Sequence, residues 1–384
     1  MAKDWAAVRE QFPVLGQWRY LNSATFGPMP RCATEAIRQH FEDRDRTGSL
    51  DFLSWFDRLD EVRASAGALI GAQADDIAFL PNAGVGLSWI LQGIDWRPGD
   101  RILGLADEFP NNLYAPGALD VRGVAFDAAP AGEAFDTEDF LSRIGERTRL
   151  VMISALNYAS GFRPPLARIG EACRRVGALF LVDGTQGVGA IPFDVDEAGA
   201  DVVLVHGYKW LCSPTGAGFF YVRPEARRAI EPSVYSWRSH RDWRNVDSLH
   251  HGAPQLPEEA ARYEGGVQNF SGLFGMGATL KLMLEVGIER LTARVSELSA
   301  LARRALAEAG AEVPGETNAL FDSPIVTARF PGLDPSLLSA KLREGGVAVA
   351  ARKGYLRVSP HFFNDERDIA ALAEIVRLHV RAQA

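Results

Sequence analysis

The sequence predicts an α/β fold, with a mainly parallel sheet in a large domain and a smaller α+β domain at the C-terminal side. Between about residues 60 and 225, short continuous apolar runs alternate with longer helical patterns. Strands that are apolar along their whole length are buried on both faces, which is typical of a parallel sheet covered by helices. After about residue 235 this alternation of apolar runs and helical patterns stops.

Six apolar runs are candidate strands of the large sheet, and helical stretches such as 85–91 and 166–176 separate several of them. Ligands of such sheets bind beyond the carboxyl ends of the strands. Asp183, His206 and Lys209 lie at or just past those ends, so we expect one site to gather them. The predicted strands are 76–80, 101–105, 150–154, 179–183, 202–205 and 218–222.

A segment with little periodicity runs from about residue 235 to 263. A connection this long is usually functional or mobile. Its aromatic and cationic side chains suit a cover over a pocket for an aromatic or anionic group. They suit a contact between subunits equally well, and both interpretations stay open. These side chains are Trp237, Arg238, His240, Arg241, Trp243, Arg244, His250 and His251.

The C-terminal part begins with a long helical pattern over 273–309, which is broken around Val286 and Gly287. Strand candidates at 325–330, 347–350 and 355–358 follow, with helices near 335–344 and 366–380. We therefore expect a large domain over residues 15–270. Residues 1–14 and 271–384 form the predicted small domain.

Composition excludes several classes of protein. The 384 residues carry a net charge of −8 with a pI near 5.5, which argues against a nucleic-acid binder or an anionic-membrane binder. No apolar stretch reaches the roughly 18 residues that span a bilayer, and the N-terminus resembles no signal peptide. Cys32, Cys173 and Cys212 lie far apart without a CxxC motif, so neither a disulfide scaffold nor a zinc site is indicated. We expect a cytoplasmic enzyme without a metal.

Lys209 and Asp183 are the most informative pair of residues. Lys209 follows an apolar run and precedes the small-residue turn 213–218, 26 residues after Asp183. A lysine at such a place can form a Schiff base, or aldimine, with a carbonyl cofactor, and a strand-end carboxylate can keep a pyridinium nitrogen protonated. Of the five lysines only Lys209 has this setting. The pair indicates pyridoxal 5'-phosphate (PLP) as the cofactor and Lys209 as the catalytic residue.

Two stretches, Asp183-Gly-Thr-Gln186 and His206-Gly-Tyr-Lys-Trp-Leu211, resemble in order and spacing the class V aminotransferase-like PLP enzymes. That family includes cysteine desulfurases, selenocysteine lyases, kynureninases and isopenicillin N epimerase-like proteins. The resemblance extends over nearly the whole chain, from 20–28 to 356–360. It implies the PLP-dependent transferase fold of type I and an enzyme that acts on an L-amino acid through an aldimine of Lys209.

The resemblance implies further contacts to the cofactor. Asp183 would bind the pyridine nitrogen, and Gln186 would donate to the phenolic oxygen. Phe109 lies where family members stack an aromatic ring or a histidine on the cofactor. His206 and Tyr208 lie where the family offers donors to the phosphate group. A histidine at position 109 could shuttle protons, whereas Phe109 cannot.

The phosphate loop departs from the family pattern. Ala83 and Gly84 lie between a predicted strand and a predicted helix, where backbone N–H groups and the helix dipole bind anions. The family usually has a hydroxyl residue at the position of Gly84, so main-chain donors have to serve here. The family also often places a threonine, contributed across a dimer interface, at the position of Val267, which cannot donate a hydrogen bond.

Three residues are candidates for substrate binding by resemblance. Arg357 matches the arginine that captures the substrate α-carboxylate, for which a planar guanidinium is well suited. Asn157 matches a residue near that carboxylate and the cofactor. Ala24, within 22–25, belongs to a segment that resembles the substrate side of the family's site. We expect a small-molecule amino acid as the substrate and a homodimer as the assembly.

The reaction itself stays open. Desulfurases that form a persulfide need a cysteine on a loop shortly before the carboxylate-binding arginine, and residues 342–354 contain none. Class V aminotransferase-type chemistry is the first interpretation. A C–S β-lyase that acts on cysteine, selenocysteine or cysteine conjugates is the second, followed by an amino-acid epimerase. A binding protein that has lost catalysis is the non-enzyme alternative, supported only by the departures at Gly84 and Val267.

Overall fold

The computed structural model describes residues 4–249, 252–314 and 318–381. His250 and His251 of the aromatic and cationic segment therefore lie outside the described residues. The strands of the described chain are β1 (Arg19–Tyr20), β2 (Ile77–Leu80), β3 (Arg101–Leu105), β4 (Ala125–Ala129), β5 (Thr148–Ser154), β6 (Leu179–Asp183), β7 (Val202–His206), β8 (Gly218–Val222), β9 (Val326–Ala328), β10 (Val347–Ala348), β11 (Ala350–Arg352) and β12 (Tyr355–Val358). Its helices are α1 (Trp5–Glu10), α2 (Arg31–Thr47), α3 (Phe52–Ile70), α4 (Ala83–Gly93), α5 (Asn111–Gly117), α6 (Thr137–Ser142), α7 (Leu166–Val176), α8 (Val195–Ala198), α9 (Phe270–Val286), α10 (Ile288–Glu308), α11 (Pro335–Glu344) and α12 (Glu366–Arg381).

The large sheet has seven strands in the order β2-β8-β7-β6-β5-β3-β4. The run from β7 to β4 is parallel, whereas β8 is antiparallel to both of its neighbours. The predicted mainly parallel sheet of an α/β fold is thereby confirmed. All six strands expected from the apolar runs are present. The edge strand β4 was not predicted, because its residues are mostly half-buried or exposed and produce no apolar run.

Two separate apolar clusters cover the two faces of this sheet. Successive residues of one strand go to opposite clusters, because side chains alternate between the faces. In β6, for example, Phe180 and Val182 join one cluster and Leu179 and Leu181 join the other. Burial on both faces is the physical reason for the unbroken apolar runs in the sequence.

A third apolar cluster lies around the three-stranded antiparallel sheet β11-β12-β9. Leu298 of α10, Leu342 of α11 and Leu372 of α12 pack there. The smaller α+β unit is thus present, with the predicted strand 347–350 divided into β10 and β11. β10 instead pairs with β1 of the N-terminal segment, in parallel. The boundaries 15–270, 1–14 and 271–384 remain a prediction.

The long helical pattern is two helices, α9 and α10, that meet at 85°. Gly287 lies between them with a φ of 90°, in the left-handed region that favours glycine. The predicted break around this residue is confirmed. Among the described residues no single helix is long and apolar enough to cross a membrane, and only this bent pair, taken together, meets the length and composition required.

Two long helices near the N-terminus were not predicted. α2 exposes most of its length and buries only Ala33 and His40, so it lacks a broad apolar face in the sequence. α3 packs on α9 and buries a mostly apolar face that includes Phe56, Leu59 and Ile70. Both helices pack against α9 and so cover one side of the large sheet.

Candidate active site at the carboxyl ends of the sheet

Neighbouring strands of the large sheet end at one level and bring polar side chains together. Ser154 of β5 lies opposite Asp183 of β6, which in turn lies opposite Leu204 of β7. His206 ends β7, and Lys209 follows in a short turn. The ends of adjacent parallel strands therefore place Asp183 and Lys209 at one edge of the sheet.

Lys209 is held in its turn by the N-terminal segment. The N–H of Gly27 donates to the Tyr208 carbonyl oxygen over 2.8 Å, and the N–H of Cys212 donates to the Lys209 carbonyl oxygen over 3.0 Å. A Cβ atom at Gly27 would come within 1.9 Å of the Lys209 carbonyl oxygen, so this close approach requires glycine. The Nζ atom of Lys209 lies 5.3 Å from the centre of the Phe109 ring.

The amine of Lys209 has an altered proton affinity. Burial lowers its pKa to about 8, while the negative charge of Asp183 acts in the opposite direction. The positive charges of Arg357 and Arg352 lower this pKa further. In the described part of the chain no carboxylate lies within ion-pair distance of Nζ. A lysine amine with a pKa near 8 is partly neutral near physiological pH and can act as a nucleophile or a base.

Asp183 is a buried and firmly positioned carboxylate. Its Oδ1 atom accepts a hydrogen bond from the N–H of Thr185 over 3.0 Å and so caps the turn after β6. Its Oδ2 atom accepts from Nδ2 of Asn112 over 3.2 Å. Both oxygens are thus oriented by protein donors, as a carboxylate that has to face one fixed group requires.

A second buried carboxylate, Glu108, lies beside Asp183 and was not predicted. Its Oε1 atom accepts from the N–H of Ser154 over 2.6 Å, and its Oε2 atom accepts from the Ser154 hydroxyl. Nδ2 of Asn112 donates to Glu108 Oε2 over 3.3 Å and also to Asp183. Burial raises the pKa of Glu108, and the negative charge of Asp183 raises it too. Glu108 thereby links the loop that carries Phe109 to the ends of β5 and β6.

Aromatic rings surround the Lys209 amine. The Phe109 ring packs edge-on against Tyr158, with 5.3 Å between ring centres. The Tyr208 ring lies 4.4 Å from the His206 ring. Burial, followed by the nearby charge of Lys209, lowers the pKa of His206 to about 4, so this imidazole is neutral at physiological pH. Its Nε2 atom is buried and has no hydrogen-bond partner among the described residues.

Gln186 and Asn157 both make internal hydrogen bonds. Nε2 of Gln186 donates to the Ala24 carbonyl oxygen over 3.0 Å, and its Oε1 accepts from the indole of Trp210 over 2.7 Å. Nδ2 of Asn157 donates to the Asp107 carbonyl oxygen over 2.6 Å, and its Oδ1 caps the loop 159–160. The cofactor roles expected of both residues stay predictions, since each amide retains one uncommitted N–H.

Ala83 and Gly84 form the first turn of α4, directly after β2. Oδ1 of Asn82 accepts from the N–H of Val85 over 2.9 Å and so caps the helix. The N–H groups at the start of a helix lack intrahelical acceptors and attract anions. A Cβ atom at Gly84 would lie 3.3 Å from Nδ2 of Asn111, so this turn faces the start of α5, two residues after Phe109.

Arg357 reaches the site from β12 of the small sheet. It is 1% exposed and donates to the Thr25 hydroxyl over 2.5 Å and to the Tyr158 carbonyl oxygen. Burial lowers its pKa to about 10, and the charge of Arg352 acts in the same direction. Its Nε atom is buried and finds no hydrogen-bond partner in the part of the chain that the structure describes. Ala24, next to Thr25, donates its N–H to the Ser359 hydroxyl over 3.1 Å.

The aromatic and cationic segment is anchored to its own chain. Trp237 and Trp243 pack on Phe56 of α3, with ring centres 6.1 and 4.8 Å apart. Arg238 donates to Oε2 of Glu264 over 3.1 Å. The pocket-cover and subunit-contact interpretations of this segment both remain predictions. Val267 is 72% exposed.

These residues fit pyridoxal phosphate. The site contains a buried amine with a lowered pKa, an oriented carboxylate whose charge acts on that pKa, and the start of α4, where N–H groups lack intrahelical acceptors. The buried Nε2 of His206 also has no partner among the described residues. An aldehyde, a pyridine nitrogen and a phosphate group would satisfy these three features in turn.

Comparison with known proteins gives the family. The model of the aminotransferase class-V family matches residues 19–372. The chain belongs to this family. Its members are PLP-dependent enzymes, and the fold is that of the type I PLP enzymes.

Two relatives of this class V chain are similar over nearly their whole length. A probable cysteine desulfurase of Methanothermobacter thermautotrophicus is 25% identical and is matched over 96% of each chain. An isopenicillin N epimerase of Streptomyces clavuligerus is 26% identical over 97% of each chain. Relatives named for different reactions are therefore about equally identical in sequence to this chain.

Solved structures show the same fold. The apo cysteine desulfurase of Thermococcus onnurineus NA1 has a TM-score of 0.88 at 21% identity and covers 100% of both chains. The cystine C–S lyase C-DES, in complex with cysteine persulfide, has a TM-score of 0.87 at 24% identity, covering 96% of this chain and 99% of its own. A C-DES variant with glycine covalently linked to its PLP cofactor has a TM-score of 0.88 at 24% identity, covering 96% and 98%.

Sequence reasoning missed three polar residues of this class V site. Glu108 stands next to Asp107 and Phe109 in what resembles a solvated loop, so its burial is not visible in the sequence. Asn112 and Ser154 become partners only because their elements meet in the sheet. Those three residues have no such signal in the sequence. The start of α4 does have one, because Asn82 is a typical helix-capping residue.

Proposed function

We propose that this class V chain catalyses amino-group transfer from an L-amino acid, with pyridoxal phosphate as the cofactor and Lys209 as the single base. The buried amine of Lys209, with a pKa of about 8, is the observation that carries the proposal. It supports both attachment of an aldehyde and abstraction of a proton at the same atom.

Each part of the cofactor has a residue to hold it. Lys209 would bind the aldehyde carbon, and Asp183 would pair with the pyridine nitrogen. The N–H groups of Ala83 and Gly84, with His206 and Tyr208, would hold the phosphate group. Phe109 would cover one face of the ring, a role its 5.3 Å distance from the Lys209 amine supports. The oxygen contacts expected of Gln186 and Asn157 belong to the same proposal.

When bound, pyridoxal phosphate withdraws electrons from the α-carbon of an attached amino acid and so makes its α-proton acidic. Asp183 supports that withdrawal by holding a proton on the pyridine nitrogen. Nζ of Lys209 then takes the α-proton and holds it for return at a nearby carbon. Arg357 orients the substrate by holding its α-carboxylate with the two outer nitrogens of the guanidinium.

The neighbours of Lys209 favour transfer over epimerisation. An epimerase needs a second acid or base on the opposite face of the substrate. Phe109, whose ring centre lies 5.3 Å from the Lys209 amine, carries no transferable proton, and His206 and Tyr208 are assigned here to the phosphate group. A single base can move a proton between two carbons on one face, which is what amino-group transfer requires.

C–S bond cleavage is the second candidate. Several curated relatives bear the name probable cysteine desulfurase, at about the same identity as the epimerases. Residues 342–354 contain no cysteine, and the pKa of the buried Cys173 is raised to about 12. A C–S lyase without a persulfide relay needs only Lys209 and a leaving thiolate. We place it behind amino-group transfer.

Absorbance spectroscopy tests the proposal. The visible band of the PLP-loaded protein should disappear when an accepted L-amino acid is added, and a 2-oxo acid should form in stoichiometric amount without ammonia. A band that returns while ammonia and a 2-oxo acid accumulate would instead establish elimination. Lys209→Ala should abolish both changes. A protein that binds no PLP, or that keeps its only measurable function after Lys209→Ala, contradicts the proposal and favours a binding protein.

A further inference from the structure

The hairpin of β11 and β12 carries two arginines on one face. In its antiparallel register Ala350 pairs with Arg357 and Arg352 pairs with Tyr355. Residues two apart on a strand point to the same face, so Arg352, Tyr355 and Arg357 share a face. Arg352 and Arg357 are diagonal neighbours across the two strands, with Cα atoms about 7–8 Å apart in such pairs.

The two arginines differ in their surroundings. Arg357 is buried and held by Thr25 and the Tyr158 carbonyl, whereas Arg352 is exposed at the end of the hairpin. In the described chain the guanidinium of Arg352 has one acceptor, the carbonyl oxygen of its neighbour Ala351 at 2.7 Å. No carboxylate of the described residues lies within 4 Å of it, so its charge is uncompensated.

The next cation along the hairpin is already neutralised. Nζ of Lys353 forms an ion pair with Asp107 over 2.9 Å. This pair joins the hairpin to the loop that carries Phe109. Lys353 could therefore bind an anion only by giving up this ion pair. Arg352 has no ion pair with a described residue to give up.

The positive charge of Arg352 acts on both Lys209 and Arg357. It lowers the pKa of Lys209 and is the largest charge effect on the pKa of Arg357. Space is also available beside the hairpin, since a cavity of about 330 Å³ lies against Thr327 and Tyr355. Among the described residues its lining includes neither arginine, but it adjoins them, because Thr327 pairs with Arg357 and Tyr355 pairs with Arg352.

We propose that Arg352 binds a second carboxylate, carried by the side chain of the substrate, while Arg357 binds the α-carboxylate. The substrate class is thus an L-amino acid with an anionic side chain. This inference rests on the proposed function, because it places the substrate at Lys209. The physical reason is that a single α-carboxylate leaves one of two neighbouring guanidinium groups unpaired, whereas a dianionic substrate neutralises both.

Two pairs of isosteric amino acids test the inference: L-glutamate against L-glutamine, and L-aspartate against L-asparagine. Dissociation constants are taken from the absorbance change of the PLP-loaded protein in the first milliseconds after mixing, before turnover. The wild type should bind at least one acid roughly tenfold or more tightly than its amide. Arg352→Ala should remove that preference and leave the affinity for the amide within about twofold.

Matched variants separate a specific contact from a general charge effect. Arg343→Ala removes an exposed arginine of α11 and should change neither affinity. Arg352→Lys should keep part of the preference, and Arg352→Glu should invert it. Amides that bind as tightly as acids in the wild type, or an acid-to-amide ratio unchanged by Arg352→Ala, overturn this inference alone. If no amino acid changes the spectrum of the loaded wild type, the proposed function fails with it.

Discussion

The amine of Lys209 lies 5.3 Å from the centre of the Phe109 ring, and the two residues approach from strands separated in the sheet by β5 and β6. Phe109 follows β3, and Lys209 follows β7. An aromatic surface facing a reactive amine defines a flat slot at the carboxyl edge of the sheet. The slot is where the proposed cofactor ring would lie.

Replacing Phe109 tests this slot. Phe109→Leu keeps apolar volume and removes the aromatic face, so we expect PLP to bind about 3–10-fold more weakly, as loss of roughly 0.5–1.5 kcal/mol of ring stacking requires. Fluorescence titration of the apoprotein with PLP measures the constant. Tyr114→Leu, at a tyrosine that is 76% exposed on the following helix, serves as the control and should have no effect. Equal weakening by both variants would show that the slot is not the site.

Lys209 should destabilise the apoprotein at neutral pH. Its folded pKa, about 8, lies below the ordinary value of 10.5, so folding disfavours the charged amine. The penalty is present below pH 8 and disappears as the pH rises from about 8 to 10.5, where the unfolded chain also loses its proton. Lys209→Met should therefore raise the free energy of unfolding at pH 7 by roughly 2–3 kcal/mol.

Urea unfolding of the apoprotein at several pH values measures this gain. The difference between Lys209→Met and the wild type should shrink steadily above pH 8. Lys341→Met, on the exposed side of α11, should change stability by less than about 0.5 kcal/mol at every pH. A Lys209→Met variant that is less stable than the wild type at pH 7 would argue that the amine has an unseen stabilising partner.

Glu108 should show the opposite dependence on pH. Its pKa is raised by burial, so its contribution to stability is complete below the ordinary value of 4.5 and is lost as the pH rises through its folded pKa. Glu108→Gln is neutral at every pH and keeps an acceptor for the Ser154 N–H. We expect this variant to be more stable than the wild type at pH 7, with the gap closing towards pH 4.5.

Glu108→Ala separates the charge from the hydrogen bonds. It leaves the N–H and hydroxyl of Ser154 without a partner in a buried place, which should cost roughly 2–4 kcal/mol of unfolding free energy. Thermal or urea unfolding of the apoprotein provides the measurement, with the exposed Glu133→Gln as control. Equal unfolding free energies of Glu108→Ala and Glu108→Gln would mean that the hydrogen bonds of Glu108 do not contribute to stability.

Arg357→Ala should affect the substrate and not the cofactor. Removing the guanidinium should weaken amino-acid binding about 10–100-fold, while the affinity for PLP stays within about twofold. Paired titrations with PLP and with an accepted amino acid separate the two effects. Loss of PLP in Arg357→Ala, with the fold intact by circular dichroism, would show that the carboxylate role is misassigned.

The homodimer remains a prediction, and light scattering coupled to size exclusion tests it. We expect the mass of two chains at micromolar concentration. Val267, which is 72% exposed, lies where the family resemblance places a dimer contact, so Val267→Asp should shift the protein towards the mass of one chain. A monomeric wild type at working concentration would remove the subunit-contact interpretation of the aromatic and cationic segment as well.

The central sheet could be predicted because both of its faces are buried. Phe180 and Leu181 point to opposite sides and are both inaccessible to solvent, so the sequence shows an apolar run without alternation. β4 and α2 could not be predicted, because an edge strand and an exposed helix bury too few residues to produce a pattern. Glu108 could not be predicted for a related reason: acidic residues are ordinarily solvated, and two of its hydrogen bonds come from Ser154, which lies 46 positions away along the chain.

The sequence by itself determined the family and pointed to the central pair, since Lys209 follows an apolar run 26 residues after Asp183, which ends an earlier one. It also determined that residues 342–354 contain no thiol. Tertiary structure alone decided which side chains meet. The Glu108–Asn112–Asp183 network needs three strands to end at one level, and Arg352 shares a face with Arg357 only through the register of one hairpin. Register and strand order depend on long-range packing, which no local stretch of sequence encodes.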